Sequence, residues 1–282
     1  MQTLGYYNGT FDELDRMQVP MLDRACYFGD GVYDVTFSRN HIAFELDEHI
    51  DRLFGSAALL HIAPPMEHDD LARLVRDLLG RMDDGEQWIY LQFSRGTGFR
   101  THAYPEEVRH TNLWIMLRPM KIRDLNVPFR CITYPDTRFS HCNVKSLNLI
   151  PNVLASEAAR EAGVDECVLI RDGVVTECAH SNLAILKNGT LITHPDDCRI
   201  YAGTARSHLL RECRAHDIPV LERAFTLSEL TVADEVLVTS ASALCIPVAE
   251  LDGAPVGGKA PHTVKFLQEL LLNDFLRKTE RP

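Results

Sequence analysis

Apolar residues in the first half of the chain alternate in short runs and then change to helical spacing. Segment 30–46 predicts two short strands around a turn at 38–40. Residues 47–60 predict a helix with Asp47 as its N-cap and an apolar face made of Ile50, Leu53, Phe54, Ala57 and Leu60. A second amphipathic helix is predicted at 69–82, and strands are predicted at 86–96 and 111–120.

The pattern restarts after residues 118–127 with a strand at 129–135, so we predict two domains. A smaller N-terminal α/β domain would cover residues 1–118, a linker 119–127, and a larger C-terminal domain 128–282, which would carry Lys145. The second half predicts helices at 150–163, from 202, and around 264–276, hairpins at 171–173 and 187–189, and a strand at 234–240. Gly163 is the expected cap of the first of these helices.

Runs of strands beside helices predict an α+β fold with largely antiparallel sheets. A Rossmann series is not expected, and the sequence contains neither a GxGxxG motif nor a phosphate-binding GxxxxGK[ST] motif.

Composition narrows the class of protein further. The net charge of −11 disfavours nucleic-acid partners, which need concentrated positive charge. No apolar run reaches the roughly 18 to 20 residues that cross a bilayer, and the N-terminus lacks a signal-peptide pattern. The eight cysteines form no CxxC pair and no zinc-binding cluster, so reduced and mostly packed thiols are expected. These features predict a cytoplasmic protein without a membrane segment or a structural metal.

Lys145 is the one side chain with a full formal charge in segment 141–156, where Val144, Leu147 and Leu149 surround it. A structural lysine packs its stem on apolar surface and keeps its ammonium group in water. Alternatively, an amine in such surroundings loses the solvation that favours its charged form, and it can then attack a carbonyl group.

Other residues could serve the same chemistry if the carbonyl belongs to pyridoxal phosphate. Glu177 could keep the pyridine nitrogen protonated, although a strand glutamate is more often solvated. The helix start at Gly203, Thr204 and Ala205 could bind the phosphate through its N–H groups. Arg52 could add a charge-assisted bond, although an arginine on the polar side of a helix is usually solvated.

Seven segments together resemble the class IV aminotransferase family, most closely its D-amino acid transaminase branch. They read YFGDGVYDV, EHIDRLFGSA, FSRGTGFRTHAYP, CNVKSLNLIPNVLA, GVVTECAHSNLAIL, YAGTARSHLL and DEVLVTSASALCIPV, in unbroken order along nearly the entire chain. The resemblance implies a fold-type IV pyridoxal 5'-phosphate enzyme with the cofactor between two α/β domains, working as a homodimer. It also implies ping-pong transamination between a D-amino acid, such as D-alanine, and a 2-oxo acid such as 2-oxoglutarate or pyruvate.

The same resemblance assigns roles to individual residues. Lys145 matches the lysine that holds the cofactor and moves the substrate proton, and Glu177 the glutamate at the pyridine nitrogen. The remaining cofactor-binding positions match Arg52, Ser181, Asn182, Gly203, Thr204, Ala205, Ser240 and Ala241. The positions that the D-specific branch uses for the substrate carboxylate match Tyr33, Arg100 and His102.

The chain departs from the family pattern in three places. Thr204 and Ala205 occupy positions where the family usually has an aliphatic residue followed by threonine. Ala241 occupies a position where a residue with a hydroxyl group is common, and Tyr201 one where an aliphatic side chain is usual. The first two changes put particular hydroxyl bonds to the phosphate in doubt, whereas the N–H groups at the helix start remain available.

Several other functions share this fold. A branched-chain L-amino acid aminotransferase, an R-selective amine transaminase and an aminodeoxychorismate lyase would use the same lysine and glutamate, and a binding protein could keep the fold without the chemistry. Positions 100–102 follow the pattern of an arginine, any residue and a histidine, and this pattern favours the D-amino acid branch.

Overall fold

The computed structural model describes residues 1–104, 108 and 110–281. Pro105, which ends the FSRGTGFRTHAYP segment, therefore lies outside the described residues. The chain divides into two compact units: unit 1 comprises Met1–Lys121, Val144–Asn148 and Phe275–Pro282, and unit 2 comprises Ile122–Asn143 and Leu149–Asp274. Among the described residues, no helix combines the length and the apolar character needed to cross a membrane.

Unit 1 is built on one six-stranded antiparallel sheet. In chain order its elements are β1 (Leu4–Tyr7), β2 (Thr10–Asp12), a 3-10 helix (Leu14–Arg16), α1 (Arg24–Phe28), β3 (Gly31–Arg39), β4 (Ile42–Ala43), α2 (Leu46–Leu59), α3 (His68–Leu79), β5 (Gln87–Ser94) and β6 (Asn112–Pro119). The strand order is β2-β1-β6-β5-β3-β4. The two strands predicted in 30–46 are β3 and β4, which pair as a hairpin.

The two faces of this sheet differ because successive strand residues point to opposite sides. One face buries Val32, Ile89 and Leu91 in a core with residues of α2 and α3, including Leu53 and Val75. The other face carries half-buried aromatic side chains, at Tyr33 of β3, Trp88 and Tyr90 of β5, and Trp114 of β6. Unit 1 therefore has one apolar core face and one aromatic face.

The short segment Val144–Asn148 belongs to unit 1 because it pairs with the start of β3. Val32 and Ser146 form an antiparallel bridge. The Tyr33 N–H donates to the Lys145 carbonyl at 2.9 Å, and the Leu147 N–H donates to the Gly31 carbonyl at 3.1 Å. The backbone around Lys145 is thus fixed by β3.

Unit 2 contains ten strands. Its elements are β7 (Phe129–Pro135), α4 (Ile150–Glu161), β8 (Glu166–Arg171), β9 (Val174–Cys178), β10 (Asn182–Lys187), β11 (Thr190–Thr193), α5 (Thr204–Ala215), β12 (Val220–Glu222), β13 (Phe225–Thr226), α6 (Leu227–Thr231), β14 (Glu235–Thr239), β15 (Ile246–Leu251), β16 (Ala254–Pro255) and α7 (Pro261–Lys278), whose last residues belong to unit 1. The strand order is β12-β11-β10-β14-β15-β7-β8-β9-β13, and β16 pairs with β15.

This sheet curls until its two edges nearly meet. The edge strands β12 and β13 are separated by only Arg223 and Ala224, and each residue step spans at most about 3.8 Å. The end of β12 and the start of β13 therefore lie within roughly 11 Å of each other. Three strand pairs are parallel, namely β7 with β8, β15 with β7 and β11 with β12, while the others are antiparallel.

The predicted α+β class is confirmed, and both predicted hairpins of unit 2 are present. At the β8–β9 turn Asp172 and Gly173 have φ of 52° and 76°, and at the β10–β11 turn Asn188 and Gly189 have φ of 49° and 76°. Two consecutive positive φ angles are what two-residue hairpin turns require. The C-cap of α4 is Ala162, and Gly163, the expected cap, has φ of 68° and stands one residue beyond it.

One expectation needs correction. Asp47 is not the N-cap of α2, because the helix begins at Leu46 and its cap is Glu45, whose φ is 48°. Asp47 lies in the first turn, where its charge still suits the helix dipole. The sheets are largely antiparallel, as expected, although unit 2 also contains the parallel crossover β7–α4–β8.

Gly31 lets β3 approach both β5 and the Lys145 segment. A Cβ at this position would lie 2.4 Å from the Phe93 carbonyl oxygen and 2.8 Å from Leu147 Cδ1. We expect Gly31→Ala to lower the free energy of unfolding by about 1–3 kcal/mol, because backbone atoms must move. Chemical denaturation measures this change.

Gly55 provides the control, since it lies on the exposed side of α2 and a Cβ added there would have no other atom within 4 Å. Gly55→Ala should raise the free energy of unfolding by about 0.4–1 kcal/mol. Equal stability of the Gly31→Ala protein and the unmodified protein would contradict the close approach at β3.

Candidate active site

Lys145 is half-buried in unit 1, and its side chain lies beside an aromatic ring. Its Nζ is 4.7 Å from the centroid of the Tyr33 ring. Its backbone N–H donates to Ser56 Oγ of α2 at 3.3 Å. Strand β3 and helix α2 therefore both hold the backbone from which the lysine extends.

The Tyr33 ring is itself part of an aromatic stack. Tyr33 and Tyr90 stack at 5.5 Å between centroids, and Trp88 and Tyr90 at 5.4 Å. The Tyr90 hydroxyl donates to Gln92 Oε1 at 2.6 Å. Burial, followed by the proximity of Tyr33, raises the pKa of Tyr90 well above its usual range. Tyr90 is therefore a neutral, fixed support for the ring beside Lys145.

Arg52 is joined to a carboxylate on the core face of β3. Its Nε donates to Asp34 Oδ2 and its Nη2 to Asp34 Oδ1, each at 2.8 Å. His49 Nδ1 lies 2.7 Å from the same Oδ1. Burial alone would raise the pKa of the fully buried Asp34, but Arg52 and His49 outweigh it and hold that pKa well below its usual range.

Arg100 and His102 meet on one aromatic ring at the surface of unit 1. Arg100 Cζ lies 4.9 Å from the centroid of Phe28, and the His102 ring lies 5.1 Å from it. Both side chains are exposed. Within the described part of the chain, no hydrogen bond or ring contact joins either of them to Tyr33.

The loop that carries these two residues is anchored by a buried ion pair network. Asp30 accepts from Arg24 Nε at 2.7 Å and from Arg95 Nε at 2.9 Å. Arg24 also donates to the Thr101 carbonyl at 2.9 Å. These bonds fix the backbone between Arg100 and His102.

In unit 2, Glu177 is buried and its carboxylate accepts several hydrogen bonds. Arg138 Nη1 donates to Oε1, and Asn182 Nδ2 donates to Oε2 at 2.8 Å. The Tyr201 N–H lies 3.2 Å from both oxygens. Donors of this kind stabilise the ionised form of a carboxylate.

Arg138 also binds a second carboxylate, that of Asp136. Its Nε and Nη2 donate to the two Asp136 oxygens at 2.9 Å each. Arg171 Nη2 and Thr176 Oγ1 donate to the same carboxylate at 2.8 and 2.9 Å. Burial alone would raise the pKa of Asp136, but Arg138 lowers it to about 2. Asp136 therefore stays charged and holds Arg138 against Glu177.

The N-terminus of α5 is tied to the Glu177 network through Asn182. The Gly203 N–H donates to Asn182 Oδ1 at 2.9 Å, and Asn182 Nδ2 donates to the Tyr201 carbonyl at 2.8 Å. A Cβ on Gly203 would lie 2.4 Å from Asn182 Oδ1, so only glycine fits. Thr204 and Ala205, at the start of the helix, are buried. A helix start of this kind can bind an anion through its N–H groups.

The remaining predicted cofactor residues make local contacts. Ser181 Oγ donates to the buried carboxylate of Glu166 at 2.6 Å. Ser240 Oγ accepts from the Ala243 N–H at 3.2 Å and lies 3.2 Å from Ser242 Oγ, in the turn that also contains the half-buried Ala241. Their roles toward a cofactor stay predictions.

The structure thus gathers the predicted residues into sets within each unit. Lys145 lies beside Tyr33, and Arg100 and His102 both contact the Phe28 ring. Glu177, Asn182 and Gly203 form one network. Sequence reasoning missed four residues that support these sets: Asp34, His49, Asp136 and Arg138. The signal for Asp34 was its position on the core side of an alternating strand, where a charged residue needs a partner.

The class of protein follows from this fold together with a family match. Residues 31–251 match the family model described as amino-transferase class IV. The chain belongs to the class IV aminotransferase family.

Similar proteins carry more specific names. The chain is 37% identical to a D-alanine aminotransferase of Bacillus licheniformis over 281 residues, covering 98% of each protein. A branched-chain aminotransferase from Thermoproteus uzoniensis has a similar structure, with a TM-score of 0.85, 20% identity and 97% of each chain covered. A T.th. branched-chain amino acid aminotransferase with pyridoxamine 5'-phosphate gives a TM-score of 0.87 at 22% identity, covering 99% of this chain and 95% of that one. These likenesses show the fold-type IV architecture.

Proposed function

We propose that this aminotransferase transfers the amino group of D-amino acids, such as D-alanine, to a 2-oxo acid such as 2-oxoglutarate or pyruvate by a ping-pong mechanism. The observation that best supports a preference for D-amino acids is that Arg100 and His102 both contact the Phe28 ring. The 37% identity to a D-alanine aminotransferase over nearly the whole chain supports it.

The residues present fit pyridoxal 5'-phosphate. Glu177, whose carboxylate accepts from Arg138 and Asn182, suits a protonated pyridine nitrogen. The glycine-dependent helix start at Gly203 and the Arg52 guanidinium suit a phosphate. The bound cofactor would supply an electron sink for the charge that develops at the substrate carbon.

Lys145 would carry the covalent and proton-transfer steps. Its amine would hold the cofactor in the resting enzyme and, once a substrate amine has taken its place, would act as general base at the substrate carbon. Its position over the Tyr33 ring and its fixed backbone support this role, because they would keep Nζ on one side of the reacting atoms. The amine that takes the proton from the substrate carbon would also be the group that gives this proton back.

Substrate handedness would depend on where the carboxylate is held. Because Lys145 works from one face, the substrate hydrogen must point to that face, and the carboxylate position then selects one enantiomer. Arg100, His102 and the Tyr33 hydroxyl are donors suited to a carboxylate, and arginine can bind both its oxygens.

A branched-chain L-amino acid aminotransferase is the second candidate. The solved structures with TM-scores of 0.85 and 0.87 carry that name, but at 20% and 22% identity they support the fold alone.

We also propose that the protein works as a homodimer in the cytoplasm. Its five buried cysteines and the absence of disulfides among the described residues suit a reducing compartment.

Lys145→Ala should abolish covalent attachment of pyridoxal phosphate and lower the transamination rate by a factor of about 10²–10⁴ or more, because nucleophile and base are lost together. Mass spectrometry after borohydride reduction detects attachment, and a coupled assay with D-alanine measures the rate.

Glu177→Gln is the matched comparison, because it keeps the shape of the side chain and leaves Lys145 in place. Covalent attachment should persist while the rate falls. Undiminished turnover in the Lys145→Ala protein would end the assignment of this lysine.

Arg100→Ala should raise KM for D-alanine and D-glutamate by about 10- to 150-fold, which corresponds to losing a charged hydrogen bond of about 1.5–3 kcal/mol. Cofactor affinity should change little, since Arg100 contacts the Phe28 ring at the surface of unit 1. Steady-state kinetics and a cofactor titration measure the two quantities.

Arg73→Ala provides the control, because Arg73 is an exposed arginine on α3. Its KM for both substrates should equal that of the unmodified protein. An Arg100→Ala protein with unchanged KM would remove Arg100 from the substrate site.

A further inference from the structure

Asp34 is a fully buried carboxylate on the core face of β3, where its neighbours along the strand face are Val32 and Thr36. Placing a charge there is costly unless partners compensate it. Its carboxylate accepts from the Val35 N–H at 2.7 Å and has two side-chain partners, His49 and Arg52. These two lie one helical turn apart on α2, so both side chains reach the strand from the same helix face. One carboxylate of the sheet thus binds two side chains of α2.

The geometry of the bond determines how Arg52 is oriented. Asp34 accepts from Nε and Nη2, which form one edge of the guanidinium, at 2.8 Å each. Because the guanidinium is planar, two bonds along one edge fix its plane and the direction of its third nitrogen. The Arg52 side chain is 17% exposed while Asp34 is 0% exposed, so the guanidinium stands between the core and the exterior of unit 1.

A purely structural ion pair is the alternative. A buried pair adds little net stability over apolar residues of the same size, because desolvation offsets the attraction. A stabilising role alone therefore gives a weak reason for three polar side chains at this place in the core. Fixing one cation in one orientation gives a stronger reason.

We propose that Asp34 and His49 are positioning residues for Arg52, which they hold in the orientation that binds the cofactor phosphate. This inference rests on the proposed role of Arg52 toward pyridoxal phosphate. Asp34 orients the guanidinium directly, and His49 fixes the carboxylate by its 2.7 Å bond to Oδ1. Because Arg52 is already ordered before the phosphate binds, binding does not incur the conformational entropy cost of ordering this long side chain.

The test compares two ligands that differ only in the phosphate, pyridoxal 5'-phosphate and pyridoxal. Cofactor-free protein is titrated with each ligand, and the ratio of the two dissociation constants reports the phosphate contribution. Asp34→Asn should reduce the preference for the phosphorylated ligand by about tenfold, a change within the usual range for coupled neighbours. Affinity for pyridoxal should change much less.

Two further variants separate positioning from general damage. Arg52→Ala should lose the same preference, and the double variant Asp34→Asn/Arg52→Ala should be no worse than Arg52→Ala, because Asp34 acts through Arg52. Asp30→Asn is the matched control, since Asp30 is another largely buried carboxylate in unit 1 that binds two arginines, Arg24 and Arg95. It should lower stability and leave the ligand preference unchanged.

A pair of variants at His49 covers the case in which Asp34→Asn does not fold. His49→Leu removes the bond to Asp34 and should reduce the preference by a smaller factor. His49→Asn places an amide nitrogen near the position of Nδ1, and it should retain the preference of the unmodified protein.

The possible results separate the inference from the proposed function. If Arg52→Ala keeps the full preference, Arg52 does not bind the phosphate, and its proposed role and this inference both fail. If Arg52→Ala loses the preference while Asp34→Asn or His49→Leu keeps or increases it, only the positioning inference is overturned.

Discussion

The backbone pairing between β3 and the segment Val144–Asn148 is the constraint on which unit 1 depends. It joins the Lys145 carbonyl to the Tyr33 N–H at 2.9 Å, across a sequence separation of more than a hundred residues. Because strand residues alternate, the same strand then directs Tyr33 toward the lysine side chain and Asp34 toward Arg52. Gly31 permits the approach, since any larger residue would meet the Phe93 carbonyl. One strand therefore sets the positions of the Lys145 amine, an aromatic support and a cation.

Unit 2 organises charge in a comparable way but with loops and hairpin strands. Arg138 bridges Asp136 and Glu177, and Asn182 links Glu177 to the start of α5. Burying so many charges is tolerable because each carboxylate accepts several hydrogen bonds. The consequence is a fixed glutamate beside a helix start whose N–H groups can bind an anion.

Much of the local structure could be predicted from the sequence, because the signals are local. The Asp172–Gly173 and Asn188–Gly189 turns specify their hairpins through residues that accept positive φ. The cap of α2 could not be predicted, because Glu45 adopts a left-handed conformation that glutamate seldom prefers. The resemblance identified Glu177 and Arg52 but not their partners Arg138 and Asp34. Partners of this kind are joined by folding across 39 and 18 residues, and no spacing rule reveals them.

The central claim is that a class IV aminotransferase with this arrangement of Lys145 and Arg100 acts on D-amino acids. The most direct measurement is kcat/KM of the unmodified protein for D-alanine, compared with its values for L-alanine and L-leucine under the same conditions. The account predicts a value for D-alanine well above both of the others. Larger values for the L-isomers would contradict it and would favour a branched-chain aminotransferase.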